Sequence, residues 1–247
     1  MKGMILAAGY GTRLRPETDS RPKPLFPIGK TTMLKNAIGY LLHHGIDEIA
    51  VNIYHLSHMM KKELETVNSK KVTLHVVEET EMMGTAGGIK GAQRFLDGSL
   101  FAVVNSDILI DLDLQAAMRY HRDKKAIATL ALRENPDPSK IGTLKVDDDG
   151  KVVRFLNSTS KNYDSKKVMD STKMFTGVHI FSPDIFNHIS AERPVDISGE
   201  VYPGLIESGE PVYGYDYHGY WADIGTPAAY KEARMDVVFD KFRPYSI

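Results

Sequence analysis

Near the N-terminus the apolar run Met4-Ile5-Leu6-Ala7-Ala8 breaks into Gly9-Tyr10-Gly11, and Thr12 and Arg13 follow at once. Further on, Lys23 stands between Pro22 and Pro24. This layout suits a polyphosphate. Glycines lack the Cβ that would keep phosphate oxygens away from backbone N–H groups. The Arg13 guanidinium offers a planar fork of donors, and Lys23 a compact charge on a stretch stiffened by proline. A tight turn after a strand would also explain the glycines alone. Far along the chain, Asp107 closes the apolar segment Leu100–Val104, and Asp223 sits in Trp221-Ala222-Asp223-Ile224-Gly225-Thr226-Pro227. A carboxylate at the end of a strand is well placed to hold Mg²⁺, because open α/β sheets bind ligands at the carboxyl ends of their strands. A second pattern, Asp111-Leu112-Asp113, would suit a metal-dependent glycosyltransferase. We favour Asp113 as the cap of a helix starting near Leu114 and Asp111 as part of a surface turn.

The elements that must position these residues follow from periodicity and punctuation. Residues 2–8 read as a strand buried on both faces. Thr31 and Thr32 precede a helix from Met33 to His44 that Gly45 closes. Strands are expected at 49–53, 72–77, 100–104 and 126–132, alternating with helices over roughly 56–66, from Gly84 to Phe95, and near 114–123. Such alternation predicts an α/β fold with a mostly parallel central sheet and helices on both faces. Beyond residue 135 the pattern changes. Gly142–Val146 and Val152–Phe155 flank Asp147-Asp148-Asp149-Gly150, a hairpin signal. Residues 157–171 are polar and read as a loop or lid. A strand at 173–181, helices near 183–189 and 199–207, a strand at 212–217 and a final helix opened by Thr226-Pro227 complete the chain. The division expected is one domain over 1–247, with a first part over about 1–135 and a small β-rich part over about 136–247.

Composition excludes several classes. The charges nearly cancel, 31 Lys and Arg against 32 Asp and Glu, so no basic field points to nucleic acid. There is no cysteine, hence no disulfide, thiolate metal site or cysteine nucleophile. No apolar run is long enough to span a bilayer, and the N-terminal run lacks the features of a signal peptide, so a cytoplasmic protein is expected. Oligomeric state is unreadable, and a homodimer stays open.

Taken whole, Leu6-Ala7-Ala8-Gly9-Tyr10-Gly11-Thr12-Arg13-Leu14 with Pro22-Lys23-Pro24-Leu25 resembles the signature of the sugar-1-phosphate nucleotidyltransferases. Leu14 replaces the third glycine of a dinucleotide fingerprint, and no Gly-Lys-Ser/Thr follows, so other phosphate loops fit less well. Asn105-Ser106-Asp107 resembles the family's first metal motif, with Ser106 in the glycine position, and the stretch around Asp223 resembles its second. Glu78 to Gly88 is similar to the segment that contacts base and then sugar. Its Gly-Thr-Ala-Gly form looks most like mannose-1-phosphate guanylyltransferases, with N-acetylmuramate-1-phosphate uridylyltransferases close behind.

The resemblance implies substrates, a nucleoside triphosphate and a sugar 1-phosphate, and a cofactor, Mg²⁺, on Asp107 and Asp223. It implies catalytic roles for Arg13, Lys23 and Asp107. Nucleotide binding would fall to Leu6, Ala7, Ala8, Gly9, Gly11, Thr12, Gly84, Thr85 and Ala86. Sugar binding would fall to Gly87, Asn105, Gly142, Asn157 and Thr176. One departure stands out: where many members carry a Glu-Lys-Pro whose lysine binds the sugar phosphate, this chain has Asn157-Ser158-Thr159. A catalytically dead nucleotide-sugar binding protein is the alternative that this departure leaves open. Some members also carry a C-terminal β-helix of hexapeptide repeats, and none is expected here.

Overall fold

Alternation along the strand Lys2–Leu6 decides the layers. Met4 points into one apolar core and Ile5 into the other, and neither is exposed to solvent. The strand lies between Glu48–Ile53 and Phe101–Asn105, parallel to both, with Thr73–Glu78 parallel beyond. This computed structural model describes the chain except residues 69, 138–143, 162, 165, 167 and 169–171.

The far half of the sheet is built differently. Lys173–Phe181 runs antiparallel to Phe101–Asn105 and also pairs antiparallel with Ala128–Glu134. Val212–Asp216 joins Ala128–Glu134 in parallel. The expected hairpin forms from Leu144–Val146 and Val152–Phe155, and it extends the main sheet, reached through Lys173 and Leu144. Ser158–Thr159 adds a last short strand against Arg154 and Phe155, so the polar segment expected as a loop begins with sheet pairing.

Helices cover both faces. Met33–His43 is capped by Thr32, whose hydroxyl accepts from the Lys35 N–H, and Leu34, Ile38 and Leu41 enter the core beside Ile5. Gly84–Gly91 and Tyr202–Ser208 lie over the opposite face, where Ala86, Ile89, Tyr202 and Leu205 pack beside Met4. Leu114–Asp123 is capped by Asp113, as the alternative to a metal role anticipates. The final helix, Pro227–Val238, starts at the expected Thr226 cap. It roofs a third small core of Leu14, Phe26, Leu109 and Ile224. No helix among the described residues is long and apolar enough to cross a membrane.

Candidate active site

The parallel strands Lys2–Leu6 and Phe101–Asn105 end at a cleft of about 380 Å³. Of the residues singled out by sequence, Leu6, Ala7, Ala8, Gly9, Gly11, Thr12, Arg13, Lys23, Gly84, Thr85, Asn105 and Asp107 line it. They meet because register places Leu6 beside Asn105.

The glycine-rich turn is fixed from below. Gly11 has φ +63°, and a Cβ there would stand 3.0 Å from Thr18 Cγ2 and 3.2 Å from Lys23 Cβ. The buried Thr18 hydroxyl donates to the Gly11 carbonyl at 3.1 Å. His55 Nε2 meets the Thr18 carbonyl at 2.8 Å, which gives His55 a role in the turn. Gly9 has open space where a Cβ would be. Buried Asn52 holds the strand end: its Oδ1 accepts from the Ala7 N–H at 2.9 Å, and its Nδ2 donates to Glu79 Oε1 at 2.7 Å.

Charge gathers at one end of the cleft. Lys23, only 7% exposed, places Nζ 2.6 Å from Asp107 Oδ2. Asp223 reaches the same place through a ribbon, Ile108–Ile110 paired antiparallel with Trp221–Asp223, in which Asp223 faces Ile108. Gly225 completes the approach. A Cβ on it would lie 2.9 Å from both terminal nitrogens of Arg13 and from Asp223 Oδ2, so the guanidinium and the carboxylate close over a bare glycine. The Asp223 carboxyl is raised above its ordinary range, chiefly by burial and then by the charge of Asp107, with Lys23 and Arg13 pulling it back.

Two neighbouring carboxylates, one of them raised by burial and by the other's charge, fit a divalent cation. Mg²⁺ takes hard oxygen donors and usually binds through one or two carboxylates, with substrate phosphates and water supplying the rest. The described residues hold no cluster of three or more metal-ligating side chains, and a pair is what such a site requires.

The remaining sequence-selected residues lie elsewhere. The N–H groups of Ala86 and Gly87 both donate to the Val195 carbonyl, at 3.0 and 3.2 Å, and both residues are buried behind the cleft lining. Thr176 is also buried: its hydroxyl donates to the Ala131 carbonyl. Asn157 is exposed on the turn after Phe155, outside the cleft. Gly142 lies outside the described residues. Asp223 itself lines a neighbouring cavity of about 640 Å³ with Arg133, Met174 and Trp221.

A model of the nucleotidyl transferase family matches residues 2–238. The chain belongs to that family. It is 34% identical, over 96% of its length, to a UTP–glucose-1-phosphate uridylyltransferase of Synechocystis sp., covering 63% of that protein. It is 32% identical, over 92% of its length, to the catalytic subunit beta of a mannose-1-phosphate guanylyltransferase of Drosophila pseudoobscura, covering 59%. The chain thus spans about three fifths of these curated relatives. Its fold is shared with the crystal structure of HddC from Yersinia pseudotuberculosis, at TM-score 0.78 and 23% identity, over 95% of this chain and 98% of that one.

In this member of the family the rival Asp-x-Asp pattern is committed to structure. Asp111 Oδ1 accepts from the Tyr220 N–H and from the Tyr217 hydroxyl, and Asp113 caps its helix. Tyr213 and Tyr215 pack edge-on against Tyr120, and Tyr217 lies in the core. Sequence reasoning gave Asn52 and Glu79 no role of their own and passed over Asp196. Asp196 lines the cleft and accepts from the Thr85 hydroxyl at 2.9 Å. Asn52 stands in sequence as a polar residue among the apolar Ile49, Ala50, Val51 and Ile53, a pattern that signals a buried hydrogen-bonding duty.

Proposed function

We propose that this chain transfers a nucleoside monophosphate from a nucleoside triphosphate to a sugar 1-phosphate and releases pyrophosphate. The observation that carries this reading is the convergence of Arg13, Lys23, Asp107 and Asp223 at the mouth of a glycine-floored cleft. An oxygen of the sugar phosphate bonds to the α-phosphorus. The bond from that phosphorus to the bridging oxygen breaks, and the electron pair leaves with pyrophosphate. A phosphate monoester is largely dianionic at neutral pH, so no side chain needs to generate the nucleophile. Catalysis then reduces to positioning and charge stabilisation.

In this reading the turn from Leu6 to Thr12 cradles the triphosphate, Arg13 takes up charge on the departing pyrophosphate, and Lys23 holds the phosphates at the reacting centre. Asp107 and Asp223 would hold Mg²⁺, which when bound neutralises phosphate charge. Residues up to about 135 bind the nucleotide and later ones the sugar. The site of action is the cytoplasm, where nucleoside triphosphates are supplied. The Gly84-Thr85-Ala86-Gly87 segment favours GTP with mannose 1-phosphate. The similarity to a protein named for UTP and glucose 1-phosphate supports that pair as the second reading.

The test is pyrophosphate release with Mg²⁺ across a grid of nucleoside triphosphates and sugar 1-phosphates, including N-acetylmuramate 1-phosphate. Turnover in one combination is expected, and it names both substrates. Silence over the whole grid with nucleotide binding intact would overturn the reading in favour of a binding protein.

A further inference from the structure

Three strands mark the margins of the main sheet, and two of those margins are closed. Ser158–Thr159 ends one of them with only two residues. Val212–Asp216 is shielded on its outer side by the hairpin turn, where Tyr213 bridges to Lys151 and the Gly214 N–H donates to the Gly150 carbonyl at 2.9 Å. The third, Thr73–Glu78, is open. It pairs along its whole length with Glu48–Ile53, and nothing among the described residues pairs with its outer side. The N–H groups of Thr73 and Glu79 donate inward, to the carbonyls of Asp47 and Ile53. Alternation then turns the N–H and C=O groups of Leu74, Val76 and Glu78 outward.

An exposed edge pairs with whatever extended chain it meets, so proteins blunt their edges with proline, bulges, charge or a covering loop. This edge is not blunted. Its register with Glu48–Ile53 is unbroken, and the strand contains no proline. Its one carboxylate, Glu78, is already neutralised by Lys61 at 2.6 Å. Val76, in the middle of the strand, is 38% exposed. Charge is separated along the segment: Lys70 and Lys71 precede the strand, and Glu79 and Glu81 follow it. Lys71 and Glu81 are both exposed, and neither has an ion-pair partner among the described residues. Such a strand is complementary to itself run in reverse.

We propose that Thr73–Glu78 joins the same strand of a second copy of this chain, antiparallel, so that two sheets become one across a two-fold axis. Parity and length fix the register. Only outward residues can exchange backbone hydrogen bonds, and all of them are used only when Val76 faces Val76 of the second copy. Leu74 then faces Glu78 of the second copy, and every outward N–H of the strand finds a carbonyl. The same register sets Lys71 opposite Glu81 of the second copy, and symmetry repeats the contact. The two Val76 side chains cover one another on one face of the joined sheet. Glu81 directly precedes Met82, which lines the cleft, so the second copy grips the segment that leads into the cleft. A strand of another protein would meet the same open edge without this match of charge, and the match is what selects a second copy.

The test is sedimentation velocity of the whole chain over a range of concentrations, at which the wild type is expected to form a dimer. Val76→Pro removes one outward N–H and leaves the inner ladder whole, so it should abolish the dimer while circular dichroism stays unchanged. Lys71→Glu and Glu81→Lys change exposed side chains outside the ladder and leave the fold alone. Each should weaken the dimer roughly tenfold, and the double variant should restore it, because the exchanged charges still meet across the axis. The chain has no cysteine, so Val76→Cys can form a disulfide only between copies. Directly opposed positions in a hydrogen-bonded pair hold their Cα atoms about 5.5 Å apart, within reach of that bond, and a covalent dimer is expected under mild oxidation. A wild type that is monomeric at every concentration would overturn the proposal. So would a dimer that survives Val76→Pro, or charge variants whose effects add in the double variant instead of cancelling.

Discussion

The backbone N–H of Ile224 donates to the carbonyl of Asp107 at 2.9 Å, and this bond, with the ribbon behind it, sets the two aspartates side by side. The charge on one then acts on the other. A carboxyl raised in the folded chain, as Asp223 is, holds its proton more tightly there than in the unfolded chain. Stability without metal therefore falls as pH rises from the ordinary carboxylate range through the raised folded value, and stays lower above it. Asp223→Asn removes that burden. In a chelator at pH 7 the variant is expected to melt at or above the wild type, while turnover falls roughly 10²-fold or more, as for loss of one charge-stabilising group. A lower melting point with turnover preserved would show that Asp223 serves the fold and not the reaction.

Gly225→Ala separates geometry from stability. The new methyl would stand 2.9 Å from Arg13 nitrogens and from Asp223 Oδ2, so these must move. The Arg13 nitrogens are the far end of a flexible, exposed side chain, so the fold gives way cheaply. We expect a melting point within a few degrees of wild type and turnover reduced at least about tenfold, because small displacements of a positioned group are costly. Calorimetry and pyrophosphate release on one preparation check it. Full turnover would mean that the close approach of Arg13 to residue 225 is not used in catalysis.

What local chemistry encodes was legible before any coordinates. The apolar run from Met4 does form a buried strand, which ends at Leu6 and not at residue 8, and Thr32 and Thr226 announced helix starts that their hydroxyls do form. The parallel half of the sheet followed from alternation. What escaped depends on residues that meet only through register. Asn52 reaches Ala7 across a strand pair, and Val195 receives the N–H groups of Ala86 and Gly87 from a segment far along the chain. Neither contact leaves a periodic trace. The resemblance implies a sugar contact for Thr176, and it is blind to the hydrogen bond by which the Thr176 hydroxyl donates to the Ala131 carbonyl. The antiparallel course of Lys173–Phe181 was equally hidden, since an apolar nine-residue strand reads alike in either direction.

Asn52→Ala should reveal how much the cleft depends on that hidden contact. The substitution leaves the Ala7 N–H and Glu79 Oε1 without the amide that joins them. Stranding a buried polar group costs about 1–3 kcal/mol. Ala7 also opens the turn that lines the cleft, so the triphosphate KM should rise along with the loss of stability. Denaturant unfolding and a nucleotide titration measure the two effects. A destabilised variant with an unaltered triphosphate KM would separate Asn52 from the cleft.

Two buried histidines predict how the fold responds to acid. His121 contacts the Thr129 and Ser182 hydroxyls, and His179 contacts the Tyr202 hydroxyl. Burial pushes His121 down to about 4 and His179 down to about 3. A histidine lowered in the folded state takes up its proton more readily once unfolded. Its neutral form therefore contributes full stability above the unfolded value near 6.5, and that contribution is lost as pH falls from there toward the folded value. At pH 5 the loss is on the order of 2 kcal/mol for each histidine. Denaturant unfolding at pH 7 and pH 5 should show a drop of about twice that for the pair, and His121→Asn should reduce the drop by the share of one ring. If the wild type were equally stable at both pH values, neither histidine could be held neutral by the fold, and the buried contacts around Thr129 and Tyr202 would have to accommodate charge.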